Sequence, residues 1–214
     1  MEVFKKISMI LTKPKLFFKQ VKKEQYLDPY IFVVACYAAV MFVISLIMGF
    51  FPDPEFQSLG VMGAAMGAAV SFMVTMIGIL VQPWVAAGIS HLGVFYFKGH
   101  GAFVDTFRVL TYGFIVSLLY MIPIQLFDIV VRSGATPASP LAWGNTIIIV
   151  IIAVIGVIHA LWVEVEGFKL YHKLSTGKSI VCVFVIPMIF AILVFLALMA
   201  IMMLIFGGLM AAGI

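Results

Sequence analysis

The chain of 214 residues contains five long apolar stretches, at residues 30–51, 60–97, 103–127, 142–163 and 179–206. Each is long enough to cross a hydrocarbon core of about 30 Å, which takes roughly 20 helical residues. Lipid tolerates no unpaired backbone, and no stretch alternates in polarity like a barrel strand. The sequence therefore predicts an all-α, polytopic helical membrane protein with five transmembrane helices.

The second stretch, residues 60–97, is too long for one crossing, since its 38 residues would form a helix of about 57 Å. Pro83 is expected to kink or break this helix, with the remainder continuing as a tilted, partly interfacial helix on the cytoplasmic side. The predicted organisation is a basic cytoplasmic segment at 1–29, a five-span membrane domain at 30–206 and a short outside tail at 207–214.

The positive charges are distributed asymmetrically. With the N-terminus inside, five spans place twelve of the 13 Lys and Arg residues on the cytoplasmic side and leave Arg132 outside. The C-terminus is then expected outside. The net charge of +4 lies on one side of the membrane and faces anionic lipid head groups, which are the expected partners. Anionic lipid is favoured over nucleic acid, and no nucleic-acid partner is expected, because the sequence shows no basic soluble domain to bind it.

The first 25 residues form an amphipathic pattern at 100° per residue. Val3, Ile7, Ile10, Phe17 and Val21 share a narrow arc, and most lysines fall on the other side. This pattern predicts an interfacial helix, broken at Thr12-Lys13-Pro14, and is favoured over an ordinary solvated basic arm. The residues expected to contact the membrane surface are Lys5, Lys6, Lys15, Lys19, Lys22 and Lys23.

Catalytic motifs are not recognisable in the sequence. The segment "LSTGKS" ends like a phosphate-binding loop, but His172 occupies the position where such a loop requires glycine. No nucleophile stands beside a base at a known spacing, so we expect no enzyme, no catalytic residue and no cofactor. The four histidines lie toward the cytoplasmic side at spacings that match no metal motif. Hydrogen-bonded histidines are favoured over a metal site.

A polar face is predicted near the start of the third span. Asp105, Arg108 and Tyr112 share one helix face, and His159 and Glu166 share a face of the fourth span in the same leaflet. Ionisable groups at such depth seldom face lipid tails, so the two faces are expected to meet. Two interpretations remain open: a structural ion pair such as Arg108 with Glu166, or a pocket for a head group, ion or peptide.

Several motifs together resemble the Yip family of Ypt/Rab-interacting multi-pass membrane proteins, in its bacterial and archaeal branch. They are "LTKPKLFF", "FKGHGAFVDTFRVLTYG", Pro123 and "HKLSTGKSIVCVFVIP", in this order along most of the chain. The resemblance implies that Gly99 and Gly101 form a hinge into the third span. It also implies a prokaryotic plasma-membrane location.

The same resemblance implies a non-enzymatic protein. Eukaryotic relatives recruit Rab GTPases and carry an Asp-Leu-Tyr-Gly-Pro signature, but this chain has only "YLDPY" at residues 26–30, so Rab binding is not expected. The predicted function is a membrane-organising or partner-binding scaffold, with membrane proteins or a second copy of the chain as further candidate partners. The alternatives are a lipid or small-solute transport protein using the polar pocket and, with least support, an intramembrane metalloenzyme.

Overall fold

The computed structural model describes residues 2–21, 28–48, 60–134 and 140–211, which are almost entirely helical. The helices are α1 (Glu2–Thr12), α2 (Pro14–Val21), α3 (Asp28–Met48), α4 (Gly60–Tyr96), α5 (Phe103–Gly134), α6 (Pro140–Tyr171), α7 (Thr176–Ile180) and α8 (Ile186–Ala211), with a π-helical segment (Val181–Val185) between α7 and α8. The prediction of a polytopic helical membrane protein is confirmed.

Within the described residues, four helices are long and apolar enough to cross a membrane, with candidate spans at Ala65–Tyr96, Phe103–Phe127, Thr146–Tyr171 and Thr176–Leu204. A shorter apolar segment, Tyr30–Ile44, lies within α3. The 21 residues of α3 extend over about 31 Å, enough for a fifth crossing. The five-span layout stays a prediction, and so does the division of the chain into a basic segment at 1–29, a membrane domain at 30–206 and a tail at 207–214.

Two prolines within spans are accommodated differently. Helix α4 continues through Pro83 to Tyr96, so residues 84–96 prolong the same helix without a break. In the last span the π-helical segment ends at Val185, two residues before Pro187, and the Ile186 N–H donates to the carbonyl of Val181, five residues back. Because Pro187 has no N–H and crowds the carbonyl four residues earlier, the wider π turn relieves the clash.

The core lies between α5 and α6, which make the most extensive helix contact, and α3 and α4 flank α5. Small residues permit close approach at two crossings. A Cβ on Gly93 of α4 would lie 2.6 Å from Ile186 and 2.9 Å from the sulfur of Cys182, so this glycine lets α4 meet the π segment. Gly156 of α6 likewise leaves room for Tyr120 of α5, since an added Cβ would lie 2.9 Å from Tyr120 Cβ.

The N-terminal segment breaks at Lys13, as predicted, and much of its apolar side packs against the bundle. Ile10, Phe17, Phe18 and Val21 are at most 1% exposed, because α2 packs along α6 and α1 contacts α3, α5 and α6. The position of this segment at the membrane interface stays a prediction. Because Phe17 and Phe18 of α2 are buried where α2 packs along α6, the basic segment is a docked part of the bundle.

Candidate functional site

The turn between α4 and α5 begins with a Schellman motif. The Gly99 N–H donates to the carbonyl of Val94 at 2.8 Å, and the Lys98 N–H donates to that of Phe95 at 3.0 Å. Lys98 has a φ of 53° and so holds the left-handed position that glycine usually takes. Gly99 is needed for space, since its Cβ would lie 2.8 Å from Val94 Cγ1.

Gly101 is the conformational hinge of this turn, with a φ of 98°. A Cβ at this position would also lie 2.8 Å from Nδ1 of His172, at the end of α6. His172 is fully buried and bonds twice to His100: its Nδ1 donates to the His100 carbonyl at 2.6 Å, and its own carbonyl accepts the His100 N–H at 3.0 Å. The glycine hinge therefore closes around His172.

A chain of polar side chains continues from His172 across the bundle. Thr106 Oγ1 lies 3.0 Å from His172 Nε2 and 2.7 Å from Nδ1 of His91 on α4. Since the neutral His172 ring donates from Nδ1, its Nε2 accepts from the Thr106 hydroxyl, which accepts in turn from His91. The chain joins α4, α5 and the end of α6, and it explains why the turn requires a fixed geometry.

Asp105 and Arg108 lie together at the start of α5. Asp105 Oδ2 accepts the Ala102 N–H at 3.0 Å, the acidic half of a capping box. Asp105 Oδ1 also lies 3.9 Å from Arg108 Nη1, and Arg108 interacts with the Tyr171 hydroxyl of α6. These contacts order the helix start and its junction with α6.

His159 lies elsewhere and bridges three helices. Its Nδ1 is 2.9 Å from the hydroxyl of Tyr120 on α5, and its Nε2 is 2.9 Å from the carbonyl of Leu11 in α1. The carbonyl can only accept, so Nε2 carries the proton and Nδ1 accepts from the tyrosine. His159 thus ties α1 to the membrane bundle. The expectation of hydrogen-bonded histidines is confirmed at His91, His159 and His172.

Glu166 forms an ion pair along its own helix, with Lys169 Nζ at 2.7 Å. Arg108 pairs with Asp105 instead, so the Arg108–Glu166 pair considered from the sequence is not among the ion pairs of the described residues. Helical spacing places side chains on a face, but the rotation of α6 against α5 turns Glu166 toward the N-terminal helices. Asp105, Arg108 and Glu166 therefore make separate ion pairs, and a pocket formed jointly by the five predicted site residues stays a prediction.

Tyr112 has a packing role. It is fully buried, and its ring makes an edge contact with Phe17 at a centroid distance of 4.8 Å and with Phe18 at 6.1 Å. Phe18 also contacts Tyr171 edge-on at 5.9 Å. Tyr112 therefore forms part of the surface on which α2 packs. It helps to hold the basic segment against the bundle.

Glu164 was not selected by sequence reasoning, which ended the fourth span at residue 163. Its side chain covers Gly113 of α5, where an added Cβ would overlap the carboxylate. An ionisable residue two positions from Trp162 in an apolar helix was the available signal. Among the described residues, no group of three or more His, Cys, Asp or Glu side chains is placed to hold a metal ion.

The end of the bundle that carries these contacts is also its basic end. Lys5, Lys15 and Lys19 are exposed, while Lys6 is half-buried. Lys22 and Lys23, which were also predicted to contact the membrane surface, lie outside the described residues. Further exposed lysines lie on the turns and helix ends: Lys13, Lys98, Lys173 and Lys178.

A groove opens at this basic end, where the α1–α2 break passes α6. Its volume is about 360 Å³, and it is lined by Thr12, Lys13, Pro14, Lys15, Leu16, Trp162, Glu166 and Lys169. Glu166 is thus the predicted site residue that borders a cavity. Its neighbours there include Lys13 and Lys15 of the N-terminal segment, and Lys15 was predicted to contact the membrane surface.

The chain is similar to known proteins over nearly its whole length. A family model described as the Yip1 domain matches residues 8–212. An uncharacterized protein of the archaeon Methanocaldococcus jannaschii is 32% identical over 126 residues, which cover 55% of this chain and 86% of that protein. No solved structure matches the chain.

Proposed function

Since the chain belongs to the Yip family, we propose that it is a non-enzymatic scaffold that organises the membrane by holding a rigid basic surface against anionic lipid head groups. One observation carries this proposal: the N-terminal segment is docked on the bundle through Ile10 at the end of α1 and through Phe17 and Phe18 of α2, each at most 1% exposed. A segment docked in this way cannot rotate its lysines away from the surface that they face.

The lysines of the docked segment support an electrostatic role. Lys5, Lys15 and Lys19 are exposed on its outer side, and Lys13 is exposed at the break. Each Lys near an anionic leaflet contributes about 1 kcal/mol of attraction, within roughly a Debye length of the surface. Several lysines on one rigid surface add these contributions without the entropic cost of ordering a flexible arm.

The proposal includes an orientation, with the N-terminus in the cytoplasm and the C-terminus outside. The excess of Lys and Arg at one end of the bundle supports it. A reporter that is active only in the cytoplasm should be inactive when fused after Ile214 and active when fused before Met1. Activity at both ends would contradict the five-span orientation, because an odd number of spans separates the termini.

The scaffold function predicts local enrichment of anionic lipid. The full chain would be reconstituted in mixed phosphatidylglycerol and phosphatidylcholine vesicles and extracted with its surrounding lipid in polymer-bounded discs. We expect more phosphatidylglycerol around the protein than in the bulk vesicle, and less enrichment as salt rises. The variant Lys5→Glu/Lys19→Glu should lose most of the enrichment, because attraction becomes repulsion at two exposed positions.

The matched control is Lys5→Arg/Lys19→Arg, which keeps both charges and should keep the enrichment. Both variants change exposed side chains, so their thermal unfolding in detergent should equal that of the parent. Undiminished enrichment in the glutamate variant would overturn the proposal that this surface organises anionic lipid.

A further inference from the structure

The groove between the α1–α2 break and α6 combines positive charge with apolar surface. Lys13 and Lys15 enter it from the N-terminal segment, and Lys169 enters it from α6. Glu166 is the acidic residue of the lining, so the groove keeps an excess of two positive charges. Its volume of about 360 Å³ lies within the range of about 300–1,000 Å³ typical of ligand pockets.

Lys169 is held toward the groove by its neighbour. Its Nζ lies 2.7 Å from Glu166 Oε1, a charge-assisted hydrogen bond that uses one of the three ammonium donors. The other two donors remain for a ligand. Glu166 is therefore a positioning residue that orients a cation, and a bound anion would have to carry strong acceptor oxygens to share that cation.

The apolar part of the groove indicates what kind of anion fits. Trp162 is 45% exposed and Leu16 is 51% exposed, and both line the cavity beside the lysines. Tryptophan is enriched where a helix leaves the hydrocarbon core, and Trp162 belongs to the candidate span Thr146–Tyr171. An occupant with a phosphate head and an acyl chain satisfies both halves of the groove.

We propose that this groove is a binding site for one anionic glycerophospholipid, with its phosphate held by Lys13, Lys15 and Lys169 and its acyl chain against Trp162 and Leu16. The site deepens the scaffold function and rests on it, since it names a lipid class that the basic surface would hold. It differs from general surface attraction in two measurable ways. It is stoichiometric, and it depends on the groove lysines rather than on every exposed lysine.

The test is native mass spectrometry of the full chain, purified in a neutral detergent and titrated with phosphatidylglycerol or with phosphatidylcholine of the same chains. We expect one molecule of phosphatidylglycerol to bind in preference to phosphatidylcholine. The variant Lys13→Gln/Lys169→Gln should bind it about tenfold more weakly, because two charge-assisted hydrogen bonds are lost. The control Lys5→Gln/Lys19→Gln removes the same charge from exposed positions outside the groove and should bind like the parent.

A fluorescence measurement identifies the position of the lipid. With Trp84→Phe and Trp143→Phe, Trp162 is the remaining tryptophan of the three. Phosphatidylglycerol with brominated chains should quench it more strongly than brominated phosphatidylcholine at one lipid per protein. Equal quenching by the two lipids would contradict an anion-selective groove.

The outcomes separate the groove from the surface. Equal losses in the groove pair and the control pair would overturn the groove and leave the scaffold function intact. Tight binding of one lipid together with no enrichment in bilayers would reject the scaffold and keep the groove. Glycerol phosphate alone is the third ligand: if it displaces phosphatidylglycerol at matching concentration, a free phosphate ester is the ligand and the lipid assignment is wrong.

Discussion

Replacing Gly101 with alanine is expected to lower the free energy of unfolding by about 2–4 kcal/mol, combining an unfavourable φ with a steric clash. A φ of 98° lies where residues with a Cβ are strained. The new Cβ would meet Nδ1 of His172 at 2.8 Å, so the ring must move away from the His100 carbonyl. Thermal or denaturant unfolding in detergent measures the loss.

Gly177→Ala is the matched control for this variant. Gly177 lies in α7, a Cβ there has nothing within 4 Å, and the residue is exposed. Alanine should leave stability unchanged or raise it by up to about 1 kcal/mol through its greater helix propensity. If Gly101→Ala unfolded at the same temperature as Gly177→Ala, the turn would not depend on its contact with His172.

Replacing Gly167 with leucine should destabilise the bundle by about 3 kcal/mol or more and release α2 from it. Gly167 lies where α2, α5 and α6 meet. A Cβ there would lie 2.9 Å from Val109 Cγ2 and 3.0 Å from Phe18 Cζ, and neither side chain has exposed surface to move into. Trypsin cleavage after Lys15 or Lys19 should accelerate, because these bonds become accessible once α2 undocks.

Two comparisons isolate the steric cause. Gly78→Leu places the same side chain on an exposed helix position whose Cβ has nothing within 4 Å, and it should leave both stability and cleavage unchanged. Gly167→Ala combined with Val109→Ala should be more stable than the sum of the single changes predicts, because removing the Val109 methyls makes room for the new one. Additive losses would show that the two residues do not compete for space.

The sequence predicted the features that depend on local composition and spacing. Apolar length predicted helices at 60–97 and 103–127, since a hydrocarbon core requires about 20 helical residues, and the structure has them at Gly60–Tyr96 and Phe103–Gly134. The break at Lys13 followed from Pro14, whose ring suits a first turn. The position of Gly101 at a hinge followed from the resemblance to the family, and its φ of 98° agrees.

The candidate site was predicted only in part, because side-chain partners depend on which helices meet and at what rotation. Asp105 and Arg108 were placed correctly on one face of α5, yet Arg108 pairs with Asp105 rather than with Glu166. His159 contacts the carbonyl of Leu11, 148 residues away in the chain. No periodicity within one helix carries information about such a partner.

What the sequence determined by itself was the class of protein and the asymmetry of its charge, since both follow from the residues present and their order. The tertiary structure decided where the amphipathic segment buries its apolar residues and which side chain the turn between α4 and α5 packs against. Phe17 and Phe18 pack on Tyr112, so α1 and α2 dock on the bundle. Gly101 has a neighbour in His172 because α6 ends beside the turn. In both cases the partner depends on how the helices pack. An apolar helix side must be covered, but lipid and protein can both cover it, and close packing selects between them.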